Sequence, residues 1–133
     1  MNMAIPEVGQ ALPERQYTPG TVQLFLYNAA IWNAHRIHYD LLYAQDGEGH
    51  PGLLVDGPLQ GDWLTQLLYD WMGADDLLLA FEYSNRRAAY LGDVLTACAE
   101  VEAVEHRDIT FTLRIVNQHG QATTVGRATV RRA

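Results

Sequence analysis

Residues 33–40, Asn-Ala-His-Arg-Ile-His-Tyr-Asp, place two histidines, an arginine and an aspartate within eight positions, directly after the apolar run QLFLYNAAIW. Histidine titrates near neutral pH and can both take and return a proton, so His38, with His35 beside it, is a candidate acid/base centre. Two other readings stand beside that one. The spacing of the two histidines puts both on one face if the segment is helical, which suits a metal. No further ligand clusters nearby in the sequence, however, and His50, His106 and His119 fall in expected loops, so no metal is expected. The bland reading is a polar turn between two buried elements, with Arg36 paired to Asp40.

Composition narrows the chemistry. The 133 residues include no lysine, one serine (Ser84) and one cysteine (Cys98), which excludes Schiff-base catalysis and leaves little for serine or cysteine nucleophiles. Catalysis must draw on histidine or carboxylates. Cys98 lies in VLTACAEV, which alternates like a strand, and is expected to be a small buried hydrophobe. A formal charge of −7 opposes sequence-blind attraction to nucleic acid or anionic lipid. The basic cluster RATVRR at the C-terminus reads as a solvated strand end before it reads as a phosphate contact. No basic leader followed by an apolar segment and no run of roughly 20 apolar residues is present, so a soluble, cytoplasmic protein with no membrane partner is expected.

The elements that must position the octet are legible in part. With 48% apolar residues, the chain is expected to form one domain over residues 1–133. Pro6, Pro13, Pro19 and Gly20 punctuate an irregular segment over residues 1–20, and TVQLFLYNAA begins an extended or buried stretch. A short helix is expected through DLLYAQ with Asp40 as N-cap, broken by DGEGHPG. The strongest pattern is GPLQGDWLTQLLYDWMG. There Leu59, Trp63, Leu64, Leu67, Leu68, Trp71 and Met72 recur at helical spacing, Pro58 suits the first turn, and Gly73 is placed for a left-handed end. Trp63 and Trp71 read as core or subunit-contact residues. Four β-rich stretches follow, LLLAFEYSN, VLTACAEVEAV, ITFTLRIVN and TTVGRATVR, separated by turns at 90–93, 106–108 and 117–121 short enough for antiparallel neighbours. A helix apolar over so much of its circumference needs a sheet curved around it, giving an α+β fold.

FLYNAAIWNAHRIHYDLLYA, followed by PGLLVDGPLQ and the long helix, resembles the MaoC-like hot-dog dehydratases, in particular the branch of 3-hydroxyacyl-thioester dehydratases and mesaconyl-CoA hydratases. The likeness covers about residues 20–105. It is specific in the octet, in Tyr43-Ala44 and in Gly57-Pro58-Leu59, and general in the strands. The resemblance implies a hot-dog fold and a hydro-lyase that hydrates enoyl thioesters or dehydrates 3-hydroxyacyl thioesters carried on coenzyme A or acyl carrier protein, with no cofactor. It places His38 at the histidine that ends the broader hydratase motif, where an aspartate five positions earlier shares the acid/base work. That position is Asn33 here. An amide cannot accept a proton at neutral pH, so Asn33 and His35 are expected to position water or substrate while His38 exchanges protons.

Such a reaction needs a group that activates water at the β-carbon, a proton donor for the α-carbon, and donors for the charge developing on the carbonyl oxygen. The unpaired N–H groups at the start of the helix at Gly57 suit the last task, each such donor being worth roughly 3 kcal/mol of barrier. Asp56, Gly57, Pro58, Leu59 and Arg36 are therefore candidate substrate-binding residues, with Arg36 more readily an ion-pair partner of Asp40. Two positions depart from the family pattern. Asp56-Gly57 stands where His-Gly is usual, and YSNRRA carries Ser84 and Ala88 where the family often has Tyr-Arg-Asn followed by proline. These departures leave open an isomerase, cyclase or thioesterase on the same scaffold, and a weakly catalytic subunit that completes a heteromeric hydratase. A sheet of four or five strands leaves an open edge, so a homodimer with sites between subunits is expected.

Overall fold

The computed structural model describes residues 4–133; the first three residues of the irregular N-terminal segment lie outside the described residues. In chain order it comprises β1 (Arg15–Tyr17), α1 (Thr21–Ala30), a 3-10 turn (Arg36–His38), a π-type turn (Tyr43–Gly47), α2 (Gly57–Trp71), β2 (Leu77–Asn85), β3 (Leu95–Glu105), β4 (Asp108–Val116) and β5 (Ala122–Arg131). The strands form one antiparallel sheet in the order β1-β3-β4-β5-β2. Irregularities in register at Leu78/Ala80, Val101/Ala103 and Ile115/Val116 bend and twist the strands.

The long helix forms where its periodicity puts it. Pro58 occupies the first turn, and Leu59, Trp63, Leu64, Leu67 and Leu68 are buried against β3, β4 and β5. Each fully buried leucine removes enough apolar surface from water to contribute roughly 2 kcal/mol. Trp63 stacks on Tyr17 with ring centroids 4.3 Å apart, so β1 is fastened to the helix as well as to the sheet. From the sheet side, Ile109, Phe111, Leu113 and Ile115 of β4 alternate into the same core.

Several expectations are corrected. Thr21–Ala30 is helical rather than extended: its buried positions, Leu24 and Asn28, are four apart on one helix face, while Val22, Phe25 and Leu26 face outward. An apolar run does not by itself separate a strand from a helix with an exposed apolar side. The N-terminal contribution to the sheet comes instead from β1, inside the segment expected to be irregular, supported by an Ala11–Glu100 bridge. Strands β2 and β3 are not neighbours. β2 pairs with β5, and residues 86–94 carry the chain across to β3. Gly73 is not left-handed; α2 ends at an extended Met72, and the Gly73 N–H donates to Asp76 Oδ2 at 2.8 Å. Cys98 is half-buried on the outer side of β3 rather than in the core, its Sγ 3.6 Å from Glu14 Oε1. Burial, then the Glu14 charge, pushes its thiol up from the ordinary value. After Asp40 the helix is brief and becomes a π-type turn, although Asp40 Oδ1 does accept the Tyr43 N–H at 3.1 Å.

No helix among the described residues is long and apolar enough to cross a membrane.

Candidate active site

The octet is a turn braced by its own polar side chains. Asn33 Oδ1 accepts the His35 N–H at 3.0 Å, and the Tyr39 hydroxyl donates to the Ala34 carbonyl at 3.0 Å. Arg36 places Nε and Nη2 on Asp40 Oδ2 at 3.1 and 2.8 Å, so it acts as the partner of Asp40. The hydrogen bond from Arg36, then the Tyr43 N–H, holds the Asp40 carboxyl below its ordinary range. With those groups committed to bracing, the two histidines part company. His35 turns outward, its Nε2 3.1 Å from Glu48 Oε1, which also accepts the Tyr43 hydroxyl at 3.2 Å. His38 turns inward and is buried.

The position of His38 is set by the strand-like segment 53–56. Leu54 donates its N–H to the Ile37 carbonyl at 3.0 Å, and its carbonyl lies 2.8 Å from His38 Nδ1. On its other side this segment pairs with the crossover: Val55 N–H bonds Ala89 at 2.8 Å and Leu91 N–H bonds Leu53 at 2.8 Å. The β2-to-β3 crossover thus holds both His38 and the start of α2. A carbonyl can only accept, so the Nδ1 proton of His38 is committed to Leu54 and Nε2 is the nitrogen left for chemistry. Nε2 lies 3.4 Å from Asp56 Oδ2. The two rings, His35 and His38, meet edge to face at 5.8 Å.

Asp56 is the residue immediately before α2, and its side chain is 1% exposed. It makes no side-chain cap on the helix. Its Oδ1 instead accepts Asn28 Nδ2 at 3.0 Å, so it does not occupy the N–H groups at the start of α2. Tyr27, the neighbour of Asn28, has its phenol pushed up to about 12 by burial and then by the charges of Asp62 and Asp56, and remains a neutral donor. Gly57 is required by packing: a Cβ there would lie 2.2 Å from Asn85 Oδ1. Asn85 donates to Thr124 Oγ1 at 2.9 Å and reaches the Gly57 carbonyl at 3.4 Å. Pro58 is exposed, whereas Leu59 is buried in the core beneath the helix.

Two adjoining cavities open here. One, about 280 Å³, is lined by Thr21, Val22, Phe25, His38, Tyr39 and Leu53. The other, about 320 Å³, shares Phe25 and Tyr39 and adds Asn28, Ala29, Trp32, Asn33 and Ala34. The structure therefore brings His38, Asp56, Gly57 and Asn33 to one region, keeps the His35 ring against His38 with its Nε2 on Glu48, and leaves Arg36 and Leu59 engaged elsewhere. Asn28, Asn85 and Trp32 were not singled out from sequence. Asn28 had a signal, an amide set among the apolar residues of FLYNAAIW, and Trp32 stands 93% exposed at the cavity rim with φ 57°. Among the described residues no group of three or more His, Cys, Asp or Glu is placed to hold a metal.

Residues 4–91 match the family model described as hydroxyacyl-thioester dehydratase type 2. The chain belongs to that family. Within the dehydratase family, it is 48% identical over 63 residues to the mesaconyl-C(4)-CoA hydratase of Chloroflexus aurantiacus, a match covering 47% of this chain and 22% of that protein. It is 36% identical over 61 residues to the mitochondrial hydroxyacyl-thioester dehydratase type 2 of Schizosaccharomyces pombe, covering 43% of this chain and 20% of the relative. The matched stretch is thus about a fifth of each curated relative's length. Among solved structures it is similar to the (R)-hydratase from A. caviae involved in PHA biosynthesis, with a TM-score of 0.87 and 25% identity over 96% of this chain and 98% of that one. The fold is α+β of the hot-dog type: a five-stranded antiparallel sheet packed on one long helix.

Proposed function

We propose that this chain is a hot-dog hydratase or dehydratase acting on an enoyl or 3-hydroxyacyl thioester, carried on coenzyme A or acyl carrier protein, with His38 as the acid/base residue. The observation that carries this reading is the mounting of His38: one ring nitrogen fixed by the Leu54 carbonyl, the other directed toward the residue before α2, and the ring lining a cavity of about 280 Å³. The N–H groups at Gly57 receive the thioester carbonyl, where the positive end of the helix dipole favours the charge that develops during addition. Asn33, on the rim of the second cavity, orients water or substrate. His35 supports the turn through Glu48. Family membership and the names of the relatives support the thioester substrate class.

The chain acts as a dimer, either with a second copy or with a related chain. Strand β2 is an edge of nine residues, with Leu77, Leu79 and Tyr83 exposed at 58%, 44% and 38%, an unfavourable surface to leave in water. Incubation of the purified protein with crotonyl-CoA is expected to remove the enoyl absorbance, and sedimentation of the same sample to give a dimer mass. His38→Ala is expected to lower kcat by roughly 10²–10⁴-fold, the usual contribution of a general acid/base. Wild-type hydration by His38→Ala would overturn the assignment of the base.

A further inference from the structure

We propose that Asp56 is the positioning carboxylate of this acid/base centre, that it pairs with His38 Nε2 when that nitrogen takes a proton, and that Asn28 holds it for the purpose. The inference rests on the hydratase reading above and supplies the counter-charge that reading lacks.

With Nδ1–H on the Leu54 carbonyl, Nε2 carries either a lone pair or a second proton. Opposite it, Asp56 Oδ2 is at 3.4 Å, longer than an ordinary N–H···O bond. Oδ2 is buried and accepts no hydrogen bond, and the same is true of Asn28 Oδ1. Burying a carboxylate with one side unpaired is costly, and groups of this kind gather where they are used. Among the described residues, Asp56 draws support from two sources besides His38. One is the Asn28 amide, which divides its hydrogens between Asp56 Oδ1 at 3.0 Å and the Leu24 carbonyl at 2.7 Å. The other is the positive end of α2. Asn28 is itself a poor helix former in the last turn of α1, and an apolar side chain would suit that buried face better. Two buried polar groups, 28 residues apart, are thus aligned behind one ring nitrogen.

The proton transfers balance around that nitrogen. In hydration the water oxygen bonds to Cβ as one of its O–H bonds breaks, and the released proton passes to Nε2. The Cα–Cβ π pair moves toward the thioester carbonyl oxygen at the start of α2. His38 is then imidazolium, and the Asp56 carboxylate lies opposite the new N–H without taking the proton itself. The proton next passes from Nε2 to Cα, the enolate pair forms the C–H bond, the carbonyl re-forms, and His38 is neutral again. One water has been added, and dehydration runs the same steps in reverse. Asn33 cannot supply this negative charge.

Asp56→Asn is nearly isosteric and keeps an oxygen for Asn28, so it removes the charge while retaining the packing. We expect kcat for crotonyl-CoA hydration to fall about 100-fold or more, with KM changed by less than about threefold and the thermal midpoint not lowered. In ¹⁵N spectra of the histidine rings, the Nε2 resonance of His38 is expected to move and the Nδ1 resonance to stay. A kcat for Asp56→Asn within about threefold of wild type, or unchanged His38 ring resonances, would overturn the pairing. If wild type and variant are both silent toward crotonyl-CoA while Nε2 still moves, the pairing stands and the substrate reading fails.

Discussion

The helix α2 is flanked by a buried aspartate at each end, and the two are built in opposite ways. Asp76, beyond the C-terminal end, is surrounded by donors: Arg132 Nη1 at 2.6 Å, Gly73 N at 2.8 Å and Ala133 N at 3.0 Å, with the Arg132 guanidinium also lying 3.5 Å over the Trp71 ring. Asp56, before the N-terminal end, receives one hydrogen bond from Asn28 and leaves Oδ2 facing His38 across 3.4 Å. A carboxylate satisfied on both oxygens fastens chain segments together. One left half satisfied, beside a titratable ring and a cavity, is available for chemistry. The basic C-terminal cluster is a solvated strand end only in part. Arg127 pairs with Glu102 and Arg131 with Asp108, while Arg132 is buried against Asp76 and Trp71.

The largest effect is expected at the aspartate beyond the C-terminal end of α2. Asp76→Ala removes a buried carboxylate that binds a guanidinium only 3% exposed, and breaking a buried ion pair costs about 3 kcal/mol or more. Urea unfolding is expected to show that loss, while kcat per folded molecule stays at the wild-type level because Asp76 lies at the far end of α2. The same carboxylate should appear in the pH dependence of stability. Burial alone would raise the Asp76 carboxyl, but the Ala133 and Gly73 N–H groups and Arg132 together outweigh it and hold the group below its ordinary value. A group depressed in the folded state contributes stability above its unfolded value, roughly pH 4, and that contribution fades as pH falls through the folded value. The acid limb of the wild-type stability curve should therefore be steeper than that of Asp76→Ala. Asp40, Glu48 and Asp108, also depressed, keep part of the slope in both proteins. An Asp76→Ala protein as stable as wild type in urea would make the two aspartates equivalent, and the contrast drawn from their partners would fail.

How much of this was readable beforehand follows from the range of the interactions. Periodicity located α2 within two residues at its end, and alternation located β2 through β5 within one, because both patterns are written by neighbours along the chain. His38 was brought out by the resemblance of the octet to the family motif, whereas the segment that fixes its ring, 53–56, lies outside the octet. Alternation says which side of a strand faces inward and nothing about which strand lies beside it, so the pairing of β2 with β5 was not legible. Nor was the Asn28–Asp56 contact, since neither residue's local pattern refers to the other. Asp56 stood out only as a departure from the usual His-Gly, and its role depends on a side chain contributed by α1. Cys98 was misplaced because Ala97 and Ala99, not Cys98, take the inward positions of β3.

A smaller effect is expected at the N-terminal end of α2. Gly57 could be a glycine so that a ligand may approach the helix start, or because Asn85 already fills the space a side chain would need. The geometry favours the second: a Cβ would come within 2.2 Å of Asn85 Oδ1 and 2.8 Å of its Cγ, so Asn85 must rotate and give up its 2.9 Å bond to Thr124. Gly57→Ala is then an overpacking change of about 1–3 kcal/mol, partly offset by the better helix propensity of alanine. Relieving the clash by Asn85→Ala in the same chain separates the two explanations. If Asn85 is the reason for the glycine, the double variant regains stability relative to Gly57→Ala alone, as contacting residues couple in a double-mutant cycle. If the two changes simply add, the glycine is kept for what approaches α2 from the cavity, and the helix start has to be treated as open on the ligand side rather than packed from the sheet.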